Sequence, residues 1–390
     1  MTDPVLIVGA GPTGLTAALE LSRMGVPVRL IDKREAPATT SRAIGVQART
    51  LELFAQRGLA EEMVRLGNKG RFASIYGGGK RVFRLDFGHV ESRYPFMLLI
   101  SQAETERILR EGVARQGVTP EWNTELVGIG QDATLDLPFE GHTRGEQYAL
   151  GDLLVTGDLP DSDISIFSSD HGFMGLFPLG GEHFRLIASN PLSKASKDAG
   201  PSLDELQRIY DQRSHIPARF HDLRWSSWFR INSRMVSRLK VGRLLLGGDA
   251  AHIHSPAGAQ GMNTGIQDMI NLSWKLAMVM NGQAPASILD TYEADRLLVM
   301  RGVLFKTDTL NNMIGTENPV VRTPVHRRRG AGSRECHGGH EPGRAQLPQQ
   351  FAVREPPPWR RSPGWRSRSR HKCPIAFGWE MGGDNPTVRA

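Results

Sequence analysis

The stretch LLLGGDAAHIHSPAGAQGMNTGIQDMINLSWKL, Leu244–Leu276, begins as an apolar strand running to Gly248 and ends as an amphipathic helix from Met262. Between them lie Ala, Gly, Ser and Pro, with almost nothing large enough to fill a core. A backbone kept this bare suits a segment on which a ligand lies directly. Asp249, at the strand's end, is the charged residue of that surface, although a turn or helix cap is the commoner use of such a carboxylate.

The N-terminus carries a second bare turn. Val5–Val8 reads as a short buried strand, and Gly9-Ala10-Gly11-Pro12-Thr13-Gly14 follows it and opens a helix over Leu15–Met24, which stops at Gly25. In GxGxxG the first glycine makes the tight turn and the second lets a pyrophosphate reach the backbone. The third lets helix and strand pack closely. Val28–Ile31 forms the next strand, and Asp32 at its end, 18 residues after Gly14, is placed to accept ribose hydroxyls. A solvated strand end is the plainer use of Asp32, but strand, glycine turn, helix and acid in this order point to a dinucleotide.

The rest of the chain alternates between two patterns. A helix is expected from about Val46 to Arg57, a hairpin over Phe72–Phe87 turning at Gly77–Gly79, and a helix over Gln102–Gln116. Phe173–Ser189 and His221–Ile231 read as antiparallel strands, and Ser202-Leu203-Asp204-Glu205 is a capping box between them. Helices follow at Met262–Met280 and Ser287–Asn312. A parallel sheet interrupted by an antiparallel one, then completed by returning chain, implies two interleaved domains.

Composition restricts the partners. The +7 net charge belongs to the tail: residues 327–390 hold 12 Arg and 1 Lys against 5 acids, leaving the body near neutral. Beyond Arg322 the sequence is rich in Arg, Pro, Gly and Ser without periodicity, so residues 323–390 are expected to be disordered. Such an arm could bind nucleic acid. The plainer reading is a tail with no selected structure, or one translated out of frame, because nothing in the body suggests nucleic acid. Both cysteines, Cys336 and Cys373, lie there, so the body has no disulfide framework and no thiolate metal site. His252-Ile253-His254 lacks nearby further ligands, and no metal is expected there. With no signal-peptide pattern and no apolar run long enough for a bilayer, the chain reads as cytoplasmic, without a membrane partner.

These residues resemble a known family. GRLLLGGDAAHIHSPAGAQGMNTGIQDMINLSWKLA (Gly242–Ala277) is similar to the second flavin-binding motif of the flavoprotein aromatic hydroxylases, the class A monooxygenases that act on phenols and polyketides. SRAIGVQARTLELF (Ser41–Phe54) and LLISQAETERILRE (Leu98–Glu111) resemble two further cofactor-lining segments. The resemblance implies an α/β fold: a Rossmann-like FAD-binding domain with a parallel sheet (1–70, 98–150 and 233–316) interleaved with an antiparallel-sheet substrate domain (71–97 and 151–232). It implies FAD contacts from Gly9, Gly11, Pro12, Gly14, Asp32, Lys33, Arg42, Gln102, Gly248, Asp249, Pro256, Gly258, Gly261, Met262 and Asn263. Arg42 alone would suit a surface salt bridge, and Gln102 a helix start. NADH or NADPH and O2 are the implied cosubstrates, and a small aromatic is the substrate. A homodimer stays open, and no catalytic acid or base stands out.

The pattern is also broken. The family's Asp-Gly strand, due after Val127–Asp132, is missing, since the sequence runs straight on to Pro138-Phe139-Glu140-Gly141. Ala259 replaces a customary glycine, and Leu297-Leu298 follow Asp295-Arg296 where the family has a nearby Pro. A flavin-binding but catalytically impaired remnant is therefore the alternative to an active hydroxylase. Phe173, Phe177, Trp225, Trp228 and Phe229 are candidates for an aromatic pocket, although aromatics on strands are more often plain core.

Overall fold

The computed structural model describes residues 3–39, 43–128, 137–190 and 199–314. Strand β1 (Val5–Val8) is followed by helix α1 (Pro12–Arg23) and by β2 (Val28–Ile31), which pairs with β1 in parallel register from Val5↔Val28 to Val8↔Ile31. Pro12 at the first helical turn suits a position whose N–H has no intrahelical partner. Leu15 and Leu21 on α1 are fully buried, each contributing about 1.5–3 kcal/mol as an upper bound.

The chain then forms β3 (Gly45–Val46), α2 (Ala48–Ala55), α3 (Ala60–Leu66) and β4 (Asn68–Gly70). A hairpin of β5 (Phe72–Gly77) and β6 (Lys80–Asp86) follows, then β7 (Met97–Leu99) and α4 (Gln102–Ala114). Strands β3, β7 and β4 make a small antiparallel sheet. The helix expected from Val46 begins only at Ala48, because Gly45–Val46 pairs with Leu98–Leu99 instead.

Next come β8 (Phe139–Gly157), β9 (Asp163–Ser169), β10 (Gly172–Gly180) and β11 (His183–Asn190), then α5 (Leu203–Arg213) and β12 (Ala218–Val236). The Ser202–Glu205 capping box forms as expected: Ser202 Oγ accepts the Glu205 N–H, and Glu205 accepts the Ser202 N–H. Last are β13 (Lys240–Val241), β14 (Leu244–Leu245), β15 (His252–Ile253), α6 (Gly261–Met280) and α7 (Asp290–Ile314). An eight-stranded sheet runs β15-β12-β8-β11-β10-β9-β5-β6, antiparallel except between β5 and β9. It is the sheet implied by the antiparallel patterns, and β15 joins it to the Leu244–Leu276 stretch.

The late strand departs from expectation. Only Leu244–Leu245 is strand, and it pairs antiparallel with Lys240–Val241. Gly248 at φ +59° turns the chain into a short 3-10 segment, Gly248–Ala250, so the strand cannot continue to that residue. Among the described residues β1 has β2 as its one ladder partner, with Glu121 extending the parallel pairing by a bridge to Ile31. β1, α1, α2, α4, α6 and Leu245–Leu246 nonetheless share one apolar core, while a second core fills the space between the large sheet and α5.

Candidate active site

The two bare turns meet. An ideal Cβ on Gly248 would lie 2.5 Å from Thr13 Oγ1, and one on Gly265 would lie 2.5 Å from the same atom and 3.1 Å from Gly248 Cα. Thr13 of the first motif is thus wedged between two glycines of the second, and their small size permits the approach. Gly14 is tighter still, its Cβ position falling 1.8 Å from the Gly9 carbonyl oxygen. Gly11, by contrast, faces open space, with nothing within 4 Å of its Cβ position. That is where a pyrophosphate needs room against the backbone.

Both helices that begin here do so without a side-chain cap. Gly11 caps α1 and Gln260 caps α6, and neither first turn contains an acid. Helix α5, packed on the large sheet, is by contrast capped by Ser202 and carries acids in its first turn. Uncapped first-turn amides with a favourable dipole suit an anionic or electron-rich ligand. The open Gly11 face and the two uncapped termini fit the diphosphate and the carbonyl edge of FAD.

Asp32 is buried and already engaged. Its carboxylate accepts the Ala10 N–H at 2.7 Å and the Arg34 N–H at 2.9 Å, and the Arg34 guanidinium lies 3.1 Å from both oxygens. Burial alone would raise its pKa, but Arg34 and the two backbone donors outweigh it and hold the carboxyl below its ordinary value. Asp32 therefore braces the glycine turn, and a ribose reaching it must share it with Arg34. Arg34 also lies over the Trp122 ring at 5.7 Å and within 3.9 Å of buried Glu106. Gln102 links this corner to the chain, its Oε1 accepting the Ala43 N–H and its Nε2 donating to Glu106. Sequence reading missed Arg34 and Glu106, although Arg34 follows Asp32 by two residues. Lys33 is exposed, and Arg42 lies outside the described residues.

In the second motif, Asp249 is the one exposed side chain from Leu244 to His252. Pro256 and Gly258 are exposed, while Gly261 and Met262 are half-buried at the start of α6. Asn263 is buried, and its side chain stitches backbone: Nδ2 donates to Gly45 O and Ala259 O, and Oδ1 accepts the Gln47 N–H. Its role toward a ligand is therefore confined to its own N–H and to the shape it imposes. Ala259 adopts φ +52°, a left-handed conformation that costs a non-glycine residue about 1–2 kcal/mol. The Asn263 bond to the Ala259 carbonyl helps to hold it.

His252 and His254 have other uses than a metal. His252 Nε2 lies 2.8 Å from Asp268, and His254 Nδ1 lies 2.9 Å from Ser255 O, the rings being parallel at 6.1 Å. Burial pushes His254 down to about 4, leaving it neutral near pH 7. Among the described residues no group of three or more His, Cys, Asp or Glu could hold a metal, and no helix is long and apolar enough to cross a membrane.

Four of the five proposed aromatics converge. Phe173, Phe177, Trp225 and Phe229 pack half-buried around Tyr148, Leu150, Ile187 and Ile231 on one face of the large sheet. Trp228 does not join them. Strand alternation sends it to the opposite face, with Ala149 and α5. The aromatic face also holds a buried ion pair, with Arg185 bound to both Asp152 oxygens at 2.6 Å and lying 5.9 Å from the Trp225 ring.

Two interlocked glycine turns at the ends of two uncapped helices, beside a sheet with an aromatic face, define a dinucleotide-binding α/β protein with a second, antiparallel layer. The chain belongs to the FAD binding domain family, whose model matches residues 2–150 and 133–307, and within it to the flavoprotein aromatic hydroxylases. It is 35% identical to 6-methylpretetramide 4-monooxygenase of Streptomyces rimosus (82% of this chain, 64% of that protein). It is 32% identical to pentachlorophenol 4-monooxygenase of Sphingobium chlorophenolicum (80% of this chain, 64% of that protein). This chain thus spans just under two thirds of the length of either relative. The anhydrotetracycline hydroxylase OxyS of Streptomyces rimosus superposes with a TM-score of 0.67 at 28% identity, covering 83% of this chain and 72% of that one.

Proposed function

We propose that the chain binds FAD and uses NADH or NADPH and O2 to hydroxylate a phenolic or polyketide-like aromatic. The observation that carries this reading is the interlock of Gly9–Gly14 with Gly248–Gly265 around Thr13, opening on two uncapped helix termini. FAD would supply a two-electron relay between the nicotinamide and O2. One oxygen atom enters the ring and the other leaves as water. The protein's part is to hold and shield. The α1 amides would hold the diphosphate, and Asp249 would accept a hydroxyl of the sugar-alcohol chain. The α6 amides would hold the pyrimidine edge and favour negative charge there. The face formed by Phe173, Phe177, Trp225 and Phe229 offers an apolar aromatic surface that excludes water.

The family relationship and the absence of any membrane-spanning helix among the described residues support a cytoplasmic enzyme with a small aromatic substrate. The test is NADPH or NADH oxidation by the FAD-loaded protein, with and without a phenol, under isotopically labelled O2. Stimulation by the phenol with one labelled oxygen in the product is the expected result. The second reading, a flavin-binding remnant, is favoured by the two-stranded parallel pairing of β1 and β2 among the described residues. Flavin bound without any labelled product across a phenol and polyketide panel would select it.

A further inference from the structure

Asp268 lies on α6, two turns from its start, with its side chain fully buried. Its Oδ2 accepts the Gly248 N–H at 3.2 Å and faces His252 Nε2 at 2.8 Å, and its Oδ1 accepts Arg296 Nε from α7 at 2.7 Å. Burial alone would raise the Asp268 pKa. Arg296 and His252 outweigh it and keep the carboxyl below its ordinary value. Arg296 Nη2 reaches Thr264 O, and the Tyr292 hydroxyl donates to Leu246 O at 2.7 Å. Gly247 leaves room for this arrangement, since a Cβ there would lie 2.2 Å from Met269 and 2.9 Å from the Tyr292 hydroxyl.

The two loop positions gripped by Asp268, Gly248 and His252, stand on either side of exposed Asp249. One carboxylate therefore fixes the span of the loop that presents another. Stability alone is a weak reason for such a cluster, because a buried ion pair is often no better than apolar packing of the same volume. It does give a loop of small residues, which have no core of their own, a single shape.

We propose that Asp268 and Arg296 are positioning residues for the cofactor loop, making α7, which reaches that loop through Asp268 and through the Leu246 carbonyl, part of the flavin site. This rests on the FAD reading and extends it to residues outside the glycine motifs.

The test uses the full chain with Asp268→Asn, Arg296→Lys and the charge-neutral double variant Asp268→Asn/Arg296→Met. Amide exchange of residues 244–256 in ligand-free protein is compared with that of β10–β11. FAD affinity and the visible circular dichroism of bound flavin are then measured. In the double variant the loop is expected to exchange at least about tenfold faster with β10–β11 unchanged. FAD is expected to bind roughly tenfold more weakly with an altered dichroic band, the scale set by one charge-assisted hydrogen bond. Arg296→Lys should recover most of both. Unchanged loop exchange and affinity would overturn the proposal. So would exchange that rises equally everywhere, or loss of the whole fold, since either assigns the cluster to general core stability. A wild-type protein that takes no FAD would sink the FAD reading, while exchange in the ligand-free protein still reports whether Asp268 holds the loop.

Discussion

Replacing Gly14 with alanine is expected to cost the protein its flavin and about 3 kcal/mol or more of stability. The added methyl would fall 1.8 Å from the Gly9 carbonyl oxygen and 3.0 Å from the Gly9 carbonyl carbon. Both atoms are backbone, so no side chain can swing away. Gly9 is itself fixed, its N–H bonded to Ile31 O at 2.8 Å, and the next residue, Ala10, is tied to Asp32. Relief requires α1 to move off β1, which opens the fully buried contacts of Ile7 and Leu15 and pulls Thr13 from between Gly248 and Gly265. Chemical denaturation and flavin content of the purified variant are the measurements. A variant that retains both wild-type stability and stoichiometric FAD would mean that α1 and β1 are not packed as described. Gly11→Ala is the control: with open space around its Cβ position it should fold normally and lose affinity for FAD alone.

The Arg185→Met variant is expected to lose about 3–5 kcal/mol, the usual cost of leaving a buried charge without its partner. Arg185 is fully buried, and its cross-strand neighbour Asp152 is only 14% exposed, so the abandoned carboxylate cannot readily reach water. The pair sits on the aromatic face. Phe177 is the cross-strand neighbour of Arg185, and Trp225 that of Asp152, so the loss should disturb that face along with the sheet. The double variant Arg185→Met/Asp152→Leu removes both charges and should recover most of the stability, since an ion pair and a packed apolar pair of similar volume are nearly equivalent. Urea denaturation followed by tryptophan fluorescence reads both variants. A single variant within about 1 kcal/mol of wild type would show that Asp152 finds solvent or another cation.

What the sequence disclosed, and what it hid, follows from the range of the interactions. The turn at Gly9–Gly14, the helix after it and the capping box at Ser202 are local, and each was legible from residue spacing. The alternating patterns of Phe173–Ser189 and His221–Ile231 disclosed the antiparallel sheet. The same alternation sets Trp228 apart from Trp225 and Phe229, because no register shift of β12 falls between Trp225 and Phe229, so a pocket lined by all five aromatics was not consistent with it. Asp32 was singled out from its place at a strand end and Asp249 from the family resemblance, the strand before Asp249 stopping at Leu245. That Asp32 would be held by Arg34 was not readable, since it depends on how the chain turns after β2.

Asp268 was the larger omission. A lone Asp on the apolar face of α6 was a signal, and Asp295-Arg296 had been singled out as an acid-Arg pair. Yet their contact spans 28 residues and two helices. The pairing of β14 with β13, rather than within a wider parallel sheet, was equally unreadable. Strand neighbours are set by which other strands are present, and the Asp-Gly strand expected to be absent would fall largely outside the described residues.

The most direct test of the central claim is a titration of the purified chain with FAD, followed by visible absorbance and by gel filtration to separate bound from free flavin. The expected result is one oxidised FAD retained per chain, with Asp249→Ala eluting colourless at the same volume. Protein that stays colourless at saturating FAD, or an Asp249→Ala variant that retains flavin as fully as wild type, would contradict it.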